Sequence, residues 1–245
     1  MQKIYILFLL MLAGSLSCTE WRLFGDNEEQ TEQMKELKPF HNIHIDGLFL
    51  VDIYQNGENK LIVKGTPDQI KHTNAEVKEQ TLFINYPASR QWRSDYQKVQ
   101  LELYVDSLEQ IENRQPITLT TKDTLKSDKI RFLFLGELNR AEIFINSNHL
   151  YLRNSLTSTG KITIKGKAAT SRIAIEGSTH LDAKYLLTQN TRIIQYSTAD
   201  SYVCTKKILD VISHGSGDVY YLGNPAEINT DLKSSGNVFR YQNED

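Results

Sequence analysis

The sequence predicts an all-β protein, mainly a parallel β-helix-like solenoid with coils of about 18–21 residues, preceded by an N-terminal β-sheet region. The first observation is a repeat whose turn residues recur at intervals of 21, 19, 20, 18 and 19 residues. Those turn residues are Asn139, Gly160, Thr179, Ala199, Gly217 and Gly236. The second observation is apolar/polar alternation within each repeat, which is typical of strands with one buried face. The third is that helical periodicity is weak along the chain.

The first 17 residues are predicted to be a signal peptide. The apolar run from Ile4 to Ala13 follows a single lysine and is too short to span a bilayer. The sequence Gly14-Ser-Leu-Ser-Cys18 resembles the lipobox of bacterial lipoproteins, although Ser15 replaces the usual aliphatic residue. We therefore expect lipidation of Cys18, with several acyl chains holding the protein to a membrane. The alternative is an ordinary secretory signal in which Cys18 has no such role.

Residues 18–38 are predicted to form an acidic tether between this anchor and the folded domain. Glutamates and aspartates dominate the segment, a composition that favours a solvated and poorly ordered chain. Residues 28–37 are compatible with a transient helix.

Residues 39–245 are predicted to form one domain, with an N-terminal sheet part at 39–114 and coils at 115–245. Alternating apolar residues from Ile43 to Ile53, followed by the turn Asn56-Gly57, mark its first strands. Cys204 is the only cysteine after Cys18, so the mature domain contains no internal disulfide and depends on core packing. The formal net charge of −2 and the scattered basic residues argue against nucleic acid as a partner.

Two phrases of the sequence resemble a known family. Residues 40–51 (FHNIHIDGLFLV) are similar to the opening of the head GIN domain of putative auto-transporter adhesins. Residues 214–225 (HGSGDVYYLGNP) are similar to that family's most recognisable segment. The resemblance covers roughly residues 40–241, and it implies a β-helical domain on exported lipoproteins of Gram-negative bacteria. It assigns no functional residues, because the activity of the family is not established.

The repeat also predicts a candidate binding surface. The third residue after successive turn residues points outward, so these side chains should stack about 4.8 Å apart on neighbouring strands. They are Glu142, Thr163, Asp182, Tyr202, Tyr220 and Phe239. The last three would form an aromatic ladder beside a column of Asp200, Asp218 and Asn237, and this combination suits the faces and hydroxyls of sugar rings. The alternative is a packing role, in which the ladder lies beneath the N-terminal sheet or caps the solenoid.

The sequence predicts no catalytic, metal or cofactor site. The segment from Gly215 to Asp218 resembles a calcium-binding repeat, but the neighbouring coils lack matching glycine pairs, so a tight corner is the better interpretation. The histidines have no ligand spacing, and the outward acids form no evident pair of the kind that glycoside hydrolases need.

We therefore predict a non-catalytic binding or adhesion module that is lipid-anchored to the cell envelope, with a glycan slightly favoured as ligand. The expected location is the outer membrane of a Gram-negative bacterium. One alternative is a structural module that pairs with an envelope protein, or with itself, through a sheet edge or a solenoid end. A less favoured alternative is a polysaccharide-degrading β-helix enzyme.

Overall fold

A computed structural model describes residues 30–87 and 98–242. The described chain is nearly all β, with a solenoid of about seven turns and an N-terminal sheet region, so the predicted fold class is confirmed. The predicted signal peptide and Cys18 lie outside the described residues.

Residues 30–87 and 98–242 form one short helix and seventeen strands. The helix α1 spans Pro67–His72, between β4 and β5. The strands are β1 Thr31–Glu36, β2 Asn42–Asp46, β3 Phe49–Gln55, β4 Lys60–Gly65, β5 Asn74–Lys78, β6 Thr81–Asn85, β7 Val99–Val105, β8 Gln110–Asn113, β9 Ile117–Thr121, β10 Leu125–Phe134, β11 Leu138–Asn154, β12 Thr159–Ile175, β13 Ser178–Gln195, β14 Ser201–Ser213, β15 Val219–Leu222, β16 Glu227–Leu232 and β17 Val238–Arg240.

Parallel pairing between coils builds three ladders, which we call faces 1, 2 and 3. Face 1 consists, in spatial order, of β6, β2, β8, the C-terminal parts of β10 to β14, and β16. Face 2 consists of β7, β3, β9, the N-terminal parts of β11 to β14, β15 and β17. Face 3 is short and is formed by the N-terminal part of β10, the middle segments of β11 to β13 and residues 204–205.

The N-terminal sheet region is continuous with the solenoid, but its coils are not stacked in chain order. Strand β2 pairs with β6 on one side and with β8 on the other, and β3 lies likewise between β7 and β9. The coil made of β2 and β3 is therefore enclosed between two coils that follow it in sequence. Antiparallel strands finish this end, because β5 pairs with β6 and β4 pairs with β7.

The expectation of a poorly ordered tether or transient helix is wrong for residues 31–36. These residues form β1, which pairs antiparallel with β4 along its whole length. All six side chains are exposed, so the strand is held by its backbone ladder and not by a buried face. Its physical role is to cover the free edge of β4, since an uncovered edge invites pairing with other chains.

The core is a set of inward columns that follow the predicted register. The second residue after each turn residue faces inward and pairs with its counterpart in the next coil. The members of this column are Ala141, Ile162, Leu181, Ser201, Val219 and Val238. The first five are buried, while Val238 in the last coil is only partly buried.

Buried polar side chains satisfy the backbone at the corners. The Asn113 side-chain amide donates to Asn139 Oδ1 at 2.8 Å, and the Asn139 amide donates to the Gly136 carbonyl at 2.6 Å. In a later coil the Asn154 amide donates to Thr179 Oγ1 at 2.8 Å. Such bonds keep corner groups paired where water is excluded, which fixes the position of each turn.

Candidate functional site

The aromatic ladder occupies the outer surface of face 2 at the C-terminal end of the solenoid. The pairing places Glu142, Thr163, Asp182, Tyr202, Tyr220 and Phe239 opposite one another in that order, so the predicted register is confirmed. The Tyr202 and Tyr220 rings are stacked, with centroids 4.9 Å apart and planes 13° apart. Phe239 continues the column at 5.7 Å from Tyr220 and is 44% exposed.

Tyr241 adds a wall to this platform. Its backbone N–H donates to the Tyr221 carbonyl at 2.8 Å, which holds the chain end against β15. Its ring stands at 84° to Tyr202 and at 88° to Tyr220, with centroid distances of 5.5 and 6.5 Å. The ladder and Tyr241 therefore enclose an aromatic corner that is open to solvent along Phe239.

A lysine and a histidine border the aromatic corner on the side of β13. Lys184 Nζ lies 5.1 Å from the Tyr202 ring centre and 5.5 Å from that of Tyr241, both within cation–π range. Its partner is Asp182, at 3.7 Å. His180 lies 5.5 Å from Tyr202, and burial together with the charge of Lys161 lowers the pKa of its imidazole.

The predicted column of Asp200, Asp218 and Asn237 has a structural function. Asp200 Oδ1 accepts a hydrogen bond from the backbone N–H of Asp218 at 2.9 Å, and Asp218 Oδ1 accepts one from the N–H of Asn237 at 2.9 Å. Each carboxylate thus fixes the turn of the following coil, and Asp218 also forms a side-chain hydrogen bond with Tyr220. Burial and these negative charges raise the pKa of Tyr202 and of Tyr220, so both phenols are neutral at physiological pH.

The alternative in which the ladder lies beneath the N-terminal sheet is wrong. Strands β1 to β7 lie at the opposite end of the solenoid, so the N-terminal sheet does not cover Tyr202 or Tyr220. The other alternative, in which the ladder has a packing role in capping the solenoid, applies only near residue 241, where the Tyr241 ring packs on the ladder. Sequence reasoning missed Tyr241 because it follows the last repeat and has no counterpart in other coils.

The glycine-rich segment is a tight corner. A Cβ atom built on Gly215 would lie 2.2 Å from the Ser197 carbonyl oxygen, and one on Gly217 would lie 2.2 Å from that of Ala199. Glycine is therefore required here by the close approach of successive coils. Within residues 30–87 and 98–242 no group of three or more His, Cys, Asp or Glu side chains is placed to hold a metal ion.

Arg240 and Cys204 have unremarkable surroundings. Arg240 is exposed, and its guanidinium donates to Asn224 Oδ1 at 2.5 Å. Cys204 is a partly buried free cysteine, and burial raises the pKa of its thiol. The described part of the chain contains no helix that is long and apolar enough to cross a membrane.

Solved structures share this architecture at low sequence identity. A putative adhesin from Bacteroides fragilis matches with a TM-score of 0.79 and 16% identity, over 87% of this chain and 97% of that one. A putative lipid binding protein from Parabacteroides distasonis matches with a TM-score of 0.64 and 16% identity, over 88% and 98% of the two chains. A putative adhesin from Parabacteroides merdae matches with a TM-score of 0.60 and 14% identity, over 89% and 98%. At these identities the likeness establishes the fold alone.

No curated protein matches the chain in sequence. The family model described as putative auto-transporter adhesin, head GIN domain, matches residues 39–225. The matched stretch holds Tyr202 and Tyr220, whereas Phe239 and Tyr241 lie beyond it. Because the match covers about three quarters of the sequence, the chain belongs to the family of the putative auto-transporter adhesin head GIN domain.

Proposed function

We propose that this protein is a non-catalytic adhesion module of the cell envelope that binds a glycan on the aromatic corner. The observation that carries the proposal is the solvent-facing stack of Tyr202 and Tyr220 with Tyr241 perpendicular to it. A family of adhesin-like proteins and a rigid solenoid both agree with a surface for binding. The Asp200 and Asp218 carboxylates bond to backbone N–H groups, which favours a binding surface over a catalytic acid pair.

The chemistry of the corner fits a carbohydrate chain. Sugar rings present C–H groups on their faces and hydroxyls at their edges, and aromatic faces carry the negative side of a quadrupole that attracts such C–H groups. The Lys184 ammonium and the Tyr202 and Tyr220 hydroxyls lie at the rings and can serve as hydrogen-bonding groups for sugar hydroxyls. Because the rings repeat at the strand spacing, an extended polymer can follow them along face 2.

The test is a glycan array with residues 19–245, which contain every described element. We expect a defined set of glycans to bind, and the variant Tyr202→Ala/Tyr220→Ala to lose them. The matched control is Tyr54→Ala/Tyr104→Ala, which removes a similar stacked pair, 4.8 Å and 10° apart, from the other end of face 2. Binding that survives the first variant, with both proteins folded by circular dichroism, would contradict the proposal.

Anchoring at Cys18 is part of the same proposal. The lipobox-like segment before Cys18 supports it, and an adhesin-like family is consistent with an exported or cell-surface protein. In the native bacterium we expect the protein in the outer-membrane fraction, and the Cys18→Ser variant in the soluble envelope fraction. A variant that stays with the membrane would show that another element holds the protein there.

A second candidate function is self-association through the open C-terminal end. Among the described strands, β16 pairs only with β14, so its outer backbone edge is free. Residues 227–233 have the sequence Glu-Ile-Asn-Thr-Asp-Leu-Lys, which is self-complementary in antiparallel pairing about Thr230. Glu227 would then face Lys233 of a second copy, and Ile228 would face Leu232. Ile228 and Leu232 continue the inward columns of β14, yet their side chains are 41% and 45% exposed. Pairing with a second copy would cover both side chains.

A further inference from the structure

Face 1 holds a column of basic and aromatic side chains that the sequence analysis did not identify. Strands β10 to β13 place Arg131, Tyr151, Arg172 and Arg192 at directly neighbouring positions. All three arginines are exposed, and Tyr151 is partly exposed. Because neighbouring strands are about 4.8 Å apart, Arg172 and Arg192 present two guanidinium groups side by side on the outer surface.

Charged partners for these arginines are few in the described part of the protein, although Asp210 is the direct neighbour of Arg192 on β14. Within the described residues none of Arg131, Arg172 and Arg192 forms an ion pair, and the Arg131 side chain bonds only to Gln110 Oε1, at 3.4 Å. Of the nearby acids, Glu176 pairs with Arg153 at 3.4 Å, whereas Asp210 accepts a hydrogen bond from the neutral Asn229 amide at 2.9 Å and keeps its charge opposite Arg192. Like charges on neighbouring strands destabilise a sheet, so this column costs stability in the free protein.

The surface around Tyr151 is concave. One depression of about 380 Å³ is lined by Arg131, Tyr151 and Arg172, together with Lys129, His149 and the acidic Glu109. Arg192 lies beside it and lines a separate depression with Asp210 and Asp231. A second, of about 570 Å³, shares Arg131 and Tyr151 and extends to Arg153. The Arg131 guanidinium carbon lies 5.3 Å from the centre of the Tyr151 ring. An aromatic ring thus lies between cations, with room for a ligand on either side of it.

We propose that this column binds an acidic glycan, with a sugar ring against Tyr151 and its carboxylate or sulfate on Arg172 and Arg192. Guanidinium groups bind such oxyanions through paired N–H donors, and this satisfies the two adjacent charges. A nucleic acid fits less well, because the column is one arginine wide and gives too few cations to follow a continuous chain of phosphates. The site is on face 1, so it is separate from the aromatic corner on face 2.

Binding of polygalacturonate, dextran sulfate and neutral dextran to residues 19–245 tests the proposal at low and at physiological salt. We expect at least one anionic polymer to bind and neutral dextran not to bind to this face. Binding of polygalacturonate alone would identify a carboxylate as the recognised group, and binding of dextran sulfate alone would identify a sulfate. Failure of both polymers to bind at low salt would overturn the proposal.

Variants of the protein distinguish specific binding at this column from non-specific electrostatic attraction to the protein surface. Arg172→Ala/Arg192→Ala should weaken binding about tenfold or more, because charge-assisted bonds are lost, and Tyr151→Ala should also weaken it. Lys206→Ala/Lys207→Ala removes the same charge from exposed positions elsewhere and should leave affinity nearly unchanged. Equal losses in both double variants would overturn the proposal. The variant Tyr202→Ala/Tyr220→Ala should leave this binding intact, so the two proposed glycan sites are tested independently of each other.

Discussion

At the residue scale, His180 makes the stability of the fold depend on pH. Its imidazole is partly buried 5.5 Å from the Tyr202 ring, and burial first, then the charge of Lys161, lowers its pKa. The pKa of this histidine in the unfolded chain is about 6.5, so the unfolded state takes up a proton first as the pH falls. His180 therefore contributes stability that is complete above pH ~6.5 and is lost as the pH falls towards the lower folded value.

We expect the free energy of unfolding to fall less between pH ~7.5 and ~5.5 in His180→Gln than in the unmodified chain. Urea unfolding at the two pH values measures this difference. His149→Gln is the control, because His149 is an exposed histidine on face 1 whose Nδ1 lies 2.8 Å from Thr170 Oγ1. An equal fall in the His180→Gln protein and the unmodified protein would contradict the assignment.

At the element scale, the corners between faces depend on glycine where coils approach most closely. Gly166 has a φ of +114°, and a Cβ atom at this position would lie 2.0 Å from the Ile145 carbonyl oxygen. Gly57 also has a positive φ, of +87°, but a Cβ atom there would be 4.0 Å from its nearest neighbour. Substitution of these two glycines therefore distinguishes the energetic cost of backbone strain from that of a steric clash between coils.

Gly166→Ala should lower the free energy of unfolding by about 3 kcal/mol or more, because the side chain both strains the backbone and forces two coils apart. Gly57→Ala should lower it by only about 1–2 kcal/mol, since strain alone applies. Urea denaturation of both variants measures the difference. Equal losses would mean that the coils can separate freely at this corner.

The close approach at corners also explains why the register of face 2 could be predicted from sequence. Turn residues are small where coils touch, as Gly160, Ala199 and Gly217 are, so such residues indicate in the sequence where the strands of face 2 begin. Alternation then fixes which side chains point outward, and Tyr202 fell opposite Tyr220 as predicted. The arginine column on face 1 recurs with the same period, but no turn residue directly precedes Arg131 or Arg172, and its alignment was therefore missed.

Other parts of the fold cannot be predicted from local sequence patterns. Parallel ladders are backbone hydrogen bonds, so nothing in residues 42–55 specifies that they lie between residues 81–105 and residues 110–121. Strand β1 shows no alternation because all of its side chains are exposed, and its polar composition therefore predicted a tether. Tyr241 contributes to the candidate site as a single residue after the last strand, where no repeat exists to place it.

At the scale of the whole molecule, the two ends of the solenoid differ. The N-terminal end is finished by antiparallel strands, with β4 on β7 and β1 on β4. At the C-terminal end β16 has one described neighbour, and Ile228 and Leu232, which continue the inward columns of β14, are exposed. An open edge of this kind promotes association unless charge or cover prevents it. Because the sequence of residues 227–233 is self-complementary, a second copy related by twofold symmetry is the partner that fits it.

We therefore expect residues 19–245 to form a dimer whose population rises with protein concentration, as measured by light scattering after size exclusion. Glu227→Lys should shift the protein towards monomer, because two lysines would face each other across the twofold axis. Lys233→Glu should act in the same way through two glutamates. The double variant Glu227→Lys/Lys233→Glu restores opposite charges and should recover the dimer, which a loss of folding could not do. A monomer at all concentrations, or single variants without effect, would show that β16 remains an unpaired edge.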